Sequence, residues 1–168
     1  MKSFKYLLLA VLAVTLSANR LFAQDAAVNH ALTQYLNIKN DLAADNSKTA
    51  NTDAAAFADA VKQVDASKLN DKQKAVWTKY AEKLRFDGQH ISESTDIKHQ
   101  REHFGSLSAN LYAVIKEFKT NNITLYQQFC PMERKSWLSE TKGIKNPYLG
   151  KEMPTCGRVT ETLQPAAK

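Results

Sequence analysis

Residues 94–118 read Ser-Thr-Asp-Ile-Lys-His-Gln-Arg-Glu-His-Phe-Gly-Ser-Leu-Ser-Ala-Asn-Leu-Tyr-Ala-Val-Ile-Lys-Glu-Phe. Ser94-Thr95-Asp96 supplies side-chain oxygens that can accept the free N–H groups of a helix start. Behind it, Ile97, Phe104, Leu107, Leu111, Val114, Ile115 and Phe118 fall on one face, mostly at three-, four- and seven-residue spacings, the period of an apolar helix stripe. No proline interrupts the run. The spacing predicts a long amphipathic helix that must bury one stripe against partners.

Three earlier segments offer such partners. Val28, Leu32, Tyr35, Leu36, Ile38 and Leu42 form a stripe that fades at Asp45-Asn46-Ser47. A second helix is expected from about Thr52-Asp53 through Phe57, Ala60, Val61 and Val64, broken at Asp65-Ala66-Ser67-Lys68. A third begins at Asn70-Asp71 and carries Val76, Trp77, Tyr80, Leu84 and Ile91. Between Asp25 and Lys119 there is no proline, and the only glycines are Gly88 and Gly105. The expected fold class is mostly α, an antiparallel four-helix bundle. After Lys119 the texture changes. Pro131, Pro147 and Pro154 alternate with Gly143, Gly150 and Gly157, which predicts a short irregular, β-hairpin-like segment with an extended run around Ile123 to Phe129.

The first residues have a different character. A basic Met1–Lys5 start, an uncharged apolar run from Tyr6 to Leu16 and a small residue at Ala23 follow the order of a secretory signal. The run is shorter than the roughly 20 residues that span a bilayer. The expected organisation is a signal peptide at 1–23, one domain at 24–163 (helices within 26–119, then the C-terminal segment 120–163) and a flexible tail at 164–168. The expected location is periplasmic or secreted, with no integral membrane span once the signal is cleaved. The chain's formal charge is +6. Without Lys2, Lys5 and Arg20 it is 20 basic against 17 acidic residues, or +3. These charges are interspersed, which argues against a nucleic-acid partner.

The chemistry-bearing residues are concentrated. The 2 cysteines and, Met1 aside, both methionines fall between 130 and 156, as Cys130-Pro131-Met132 and Met153-Pro154-Thr155-Cys156. With Phe129–Met132 extended, Cys130 and Met132 would project to one side. With Met153–Cys156 a turn, its ends would approach within about 7 Å. Two thiolates and two thioethers would make a soft site for Cu(I) or Ag(I). In an oxidising compartment the same cysteines could equally form a structural disulfide, and methionine is a common core filler. His99 and His103 are four apart, on adjacent turns of one helix side. His103 falls at the flank of the apolar stripe and His99 further out. His90 and His103 are the expected nitrogen donors to complete a sulfur site, and His30 is assigned nothing. There is no phosphate-cradling glycine loop, no Cys-x-x-Cys-His for haem attachment and no nucleophile–base pairing. The expectation is a binding protein rather than an enzyme. A b-type haem bundle is a third reading, because exported four-helix bundles can host haem.

Two stretches carry a family resemblance. One runs Tyr126-Gln127-Gln128-Phe129-Cys130-Pro131-Met132, Trp137-Leu138-Ser139-Glu140 and Ile144-Lys145-Asn146-Pro147-Tyr148-Leu149-Gly150-Lys151-Glu152-Met153-Pro154-Thr155-Cys156-Gly157. The other runs Asp96-Ile97-Lys98-His99-Gln100-Arg101-Glu102-His103-Phe104 with Leu107-Ser108. Together they resemble the domain of unknown function 3347 family. The segment Glu133–Ser136 between Met132 and Trp137 is shorter than the family pattern. Members occur as small exported proteins and fused to membrane-fusion subunits of copper/silver efflux systems. The resemblance implies heavy-metal handling, with a metal ion as ligand and an efflux or membrane-fusion protein as partner. It implies no established reaction.

Overall fold

The structure is a computed structural model and describes residues 26–166. The expected signal peptide lies outside the described residues. Four α-helices lead into a small antiparallel sheet. Helix α1 covers 26–43, α2 Ser47–Lys62, α3 Asp71–Ser92 and α4 Ile97–Phe118; strands β1 Leu125–Cys130, β2 Lys135–Ser139 and β3 Arg158–Leu163 follow. A single 3-10 turn, Ala66–Lys68, joins α2 to α3. Among the described residues no helix is long and apolar enough to cross a membrane.

The helix starts follow side-chain chemistry. Asn70 accepts from the Gln73 N–H while Gln73 reaches back to the Asn70 N–H, a capping box that fixes the start of α3. Asp96 accepts from the Lys98 N–H at the start of α4. Helix α2 begins five residues before the expected Thr52. Its first turns bury Ala50 and Ala54 completely, an alanine stripe too small to register as an apolar face. The core joins Leu32, Tyr35, Ile38 and Leu42 of α1, Phe57 of α2, Leu84 and Ile91 of α3, and Phe104, Leu107, Leu111 and Val114 of α4. Tyr35 stacks on Phe104 with ring centroids 5.2 Å apart.

The C-terminal segment is more regular than its prolines and glycines suggest. Strand order is β2-β1-β3, with β1 antiparallel to both neighbours and a bulge at Gln127/Gln128. Strand β3 went unread because its Arg-Val-Thr-Glu-Thr-Leu alternation is short and half-exposed. The sheet is fastened to the helices at named points. The Leu138 N–H donates to the Tyr35 hydroxyl at 2.9 Å, and Tyr35 also bonds Ser108. The buried Lys39 ammonium pairs with Glu140 at 2.8 Å. Arg101 of α4 donates to the Pro147 and Leu42 carbonyls and pairs with Asp45. Of the tail expected to be flexible, Gln164 and Ala166 hydrogen-bond Asn121.

Candidate functional site

Strand β1 ends at Cys130, and the chain turns immediately. Phe129–Met132 is therefore not extended, contrary to the expectation from alternation. Pro131 has no N–H to continue a ladder, and Arg134 adopts φ 54° to close the hairpin onto Lys135, the register partner of Cys130. Cys130 and Met132 consequently part company. Cys130 is fully buried, while Met132 is 60% exposed.

The turn does something else. It aims the backbone N–H groups of Met132 and Glu133 at the Cys130 sulfur, and the Asn146 side chain adds a third donor. Burial pushes the Cys130 thiol up; these donors and the Cys156 thiol outweigh it and hold Cys130 below the ordinary thiol value. Cys156 moves the other way, raised first by burial and then by its neighbour. The two sulfurs meet Sγ to Sγ at 3.6 Å, with both cysteines unbonded. The two thiols are thus pushed apart, Cys130 the more acidic and Cys156 the less.

Asn146 organises this corner. It is fully buried. Its Oδ1 accepts the Tyr148 and Leu149 N–H groups, and its Nδ2 donates to the Cys156 carbonyl at 2.6 Å. The Asn146 N–H bonds the Pro154 carbonyl, and the Cys156 N–H bonds the Met153 carbonyl at 3.2 Å. The expected Met153–Cys156 turn is thus present. Gly157 follows at φ 154°, and a Cβ there would lie 3.0 Å from the Trp137 ring, so only glycine lets Cys156 lie against the sheet. Met153 is 39% exposed. Both thioethers flank the cysteine pair in sequence and open to solvent.

A second cluster lies on α3 and α4. His90, His99 and His103 each present a ring nitrogen, and these atoms lie within 4.8 Å of one another. The His90 and His103 rings stack at 4.5 Å, and the His99 ring meets His103 edge-on at 4.7 Å. His103 Nδ1 bonds Oδ1 of the buried Asp87 at 3.1 Å. The half-exposed Phe86 packs over His90 at 4.2 Å. His99, placed outermost by spacing, belongs to the cluster. The signal that could have found it is Asp87-x-x-His90 on one helix facing His99-x-x-x-His103 on the next.

The two clusters do not merge. Among the described residues, the three histidines are the one group of His, Cys, Asp or Glu side chains that converges in this way, and no histidine joins the cysteines. His99 and His103 lie on one flank of α4. Arg101 and Gly105, two residues on and so about 200° round the helix, face the C-terminal segment through Pro147 and Lys135. The expected completion of the sulfur site by His90 or His103 has no counterpart in these contacts.

Fold and clusters define a small helical domain that carries three convergent imidazoles on α3 and α4, with a β-sheet appendage that carries two adjacent free cysteines. The chain belongs to the family described as Protein of unknown function (DUF3347), which matches residues 31–123. That match contains all three clustered histidines and stops before β1, so the cysteine pair lies beyond it. No curated protein and no solved structure matched the chain.

Proposed function

We propose that this protein binds and carries a soft metal ion, Cu(I) or Ag(I), at the Cys130–Cys156 pair. The observation that supports the reading most is the pair of free sulfurs 3.6 Å apart, with the Cys130 thiol held below its ordinary value. A buried sulfur that receives two backbone N–H groups and an amide is built to carry negative charge. Two sulfurs bonded to one ion at about 2.3 Å each lie no more than about 4.6 Å apart, and the 3.6 Å separation falls inside that limit. Met132 and Met153 are close to the pair in sequence and exposed, thioethers of the kind that soft ions accept. The protein acts as a binding partner rather than an enzyme, in the periplasm or outside the cell, as a carrier, buffer or donor to a heavy-metal efflux or membrane-fusion protein. Its four helices form an antiparallel bundle that serves as the rigid base for the sulfur-bearing appendage.

The test is a Cu(I) competition titration against a chromophoric chelator on fully reduced protein. One-to-one competition by the parent and none by C130S/C156S supports the reading. Equal competition by both overturns it.

A second reading rests on the same contact. With free sulfurs already adjacent, the pair can close into a disulfide and act as a staple for an interaction module that takes no metal. Closing a 26-residue separation lowers the entropy of the unfolded chain by an amount worth about 3.5 kcal/mol. This reading predicts that reduction lowers stability by roughly that much and that Cu(I) leaves the reduced protein's melting temperature unchanged.

A further inference from the structure

We propose that His90, His99 and His103 form a second metal site, independent of the cysteine pair and suited to a borderline divalent cation of the Zn(II) or Cu(II) type. Imidazole nitrogen is the ligand that such ions favour, whereas Cu(I) and Ag(I) favour sulfur. Three donors converge from two helices, which is more than the i, i+4 spacing of His99 and His103 achieves alone. An ion bonded tetrahedrally at 2.0–2.1 Å holds its nitrogens about 3.3–3.4 Å apart. The present separations, within 4.8 Å, exceed that by about 1.4 Å at most, a closure available from rotation of the partly exposed rings.

The surroundings are those of a ligand set. Asp87 is buried and bonds His103 Nδ1. It fixes the ring and leaves Nε2 as the remaining ring donor, the carboxylate–histidine arrangement that orients metal-bound imidazoles. Phe86 covers His90 and reaches His103 at 5.9 Å, which limits solvent on one side. Three histidines leave a fourth position open, as in sites that exchange their ion or hold water. The cluster faces away from the appendage, so the chain would carry one site for soft ions and one for harder ions on opposite flanks of α4.

The experiment uses Zn(II) in the C130S/C156S background, where sulfur cannot contribute, so its outcome does not depend on the soft-metal reading. A chelator competition is run on that protein and on versions that add H99Q, H103Q, D87N or H30Q. The expected result is one-to-one binding. H99Q and H103Q should each weaken it at least tenfold, D87N should weaken it about 10–100-fold, and H30Q should have no effect. A nitrogen-15 histidine spectrum should show three imidazoles shifting on Zn(II) addition and His30 unmoved, a readout that loss of folding cannot imitate. The proposal is overturned if C130S/C156S does not bind Zn(II), if H99Q binds as tightly as its parent, or if the three imidazole signals stay in place.

Discussion

The ion pair between Lys39 of α1 and Glu140 at the end of β2 gives the sharpest test of how the appendage is held. The Lys39 side chain is 0% exposed and Glu140 29%. The costs of losing each partner are therefore unequal. Removing Glu140 strands an ammonium in the core, and breaking a buried pair in this way costs about 3–5 kcal/mol. Because Glu140 keeps some hydration, the lower end applies, so E140A should lose about 3 kcal/mol. Removing the ammonium is gentler. K39M keeps most of the buried methylene volume, and Glu140 retains its bond from Asn40 at 3.0 Å and its access to water. Its cost should be about 1 kcal/mol or less. At this chain length 1 kcal/mol moves Tm by about 2–4 °C, so E140A should melt about 4–8 °C below K39M. The double variant K39M/E140A should sit close to K39M.

The pH dependence follows the same logic. Burial pushes Glu140 up, but Lys39 and Asn40 outweigh it and hold the carboxyl below its usual value. The pair's contribution is therefore present above the unfolded carboxylate value and lost as pH falls through the lower folded one. Burial holds Lys39 below its ordinary value despite Glu140. In E140A the stranded ammonium sheds its proton more readily when folded than when unfolded, so the penalty should shrink as pH rises through that lowered value. Urea denaturation across pH measures both trends. If K39M costs as much as E140A, or if the E140A penalty does not change at alkaline pH, the asymmetric-burial argument fails.

Two further outcomes can be checked with the same assays. Asp41 is pushed up to about 6, first by burial and then by Asp53, which faces it across the start of α2. Its protonated form favours the folded state, a contribution fully present below the unfolded carboxylate value and lost as pH rises through about 6. D41N should therefore be more stable than the parent at pH 8, with the gap closing toward pH 4. At Gly88, where α3 crosses α2, an added Cβ would lie 2.9 Å from Phe57 Cδ1. Alanine gains about 1 kcal/mol in helix propensity, but overpacking against the fully buried Phe57 costs about 1–3 kcal/mol. G88A should thus be less stable by about 1 kcal/mol, and a smaller residue at 57 should reduce the loss in a double-mutant cycle.

How much of this was legible depended on what each element buries. The α4 stripe announced itself because most of its buried positions are large and apolar, Gln100 and Ser108 being the exceptions, and the Asn70 and Asp96 caps are explicit side-chain chemistry. The start of α2 was hidden because alanine buries a face without marking it. The sheet was half-hidden for a different reason. Its stability comes from Tyr35, Lys39 and Arg101 on distant helices, and such pairings are separated by 46–103 residues. The turn at Cys130 looked like a strand because alternation says nothing about a sulfur that draws backbone N–H groups to itself. The partner of His103, Asp87, sits 16 residues away on another helix, beyond any local motif.

The arrangement assigns α4 a double role. One flank carries His99 and His103 toward α3; the other, through Arg101 and Gly105, receives the loop that holds Asn146 and Cys156. Arg101 donates to the carbonyl of Pro147, the residue after Asn146, and Asn146 donates to the Cys156 carbonyl. Two hydrogen bonds joined by the Asn146–Pro147 peptide thus link α4 to the cysteine pair. His99 and His103 stand on the same rigid cylinder, each about half a turn from Arg101. Neither cluster needs the other for its geometry, since each is set by its own partners: Asp87 and Phe86 on one side, and the Met132 and Glu133 N–H groups with Asn146 on the other. Both nevertheless depend on the packing of one helix, so changes to the α4 core face at Phe104 or Leu107 would disturb both clusters, whereas changes on either flank would disturb one.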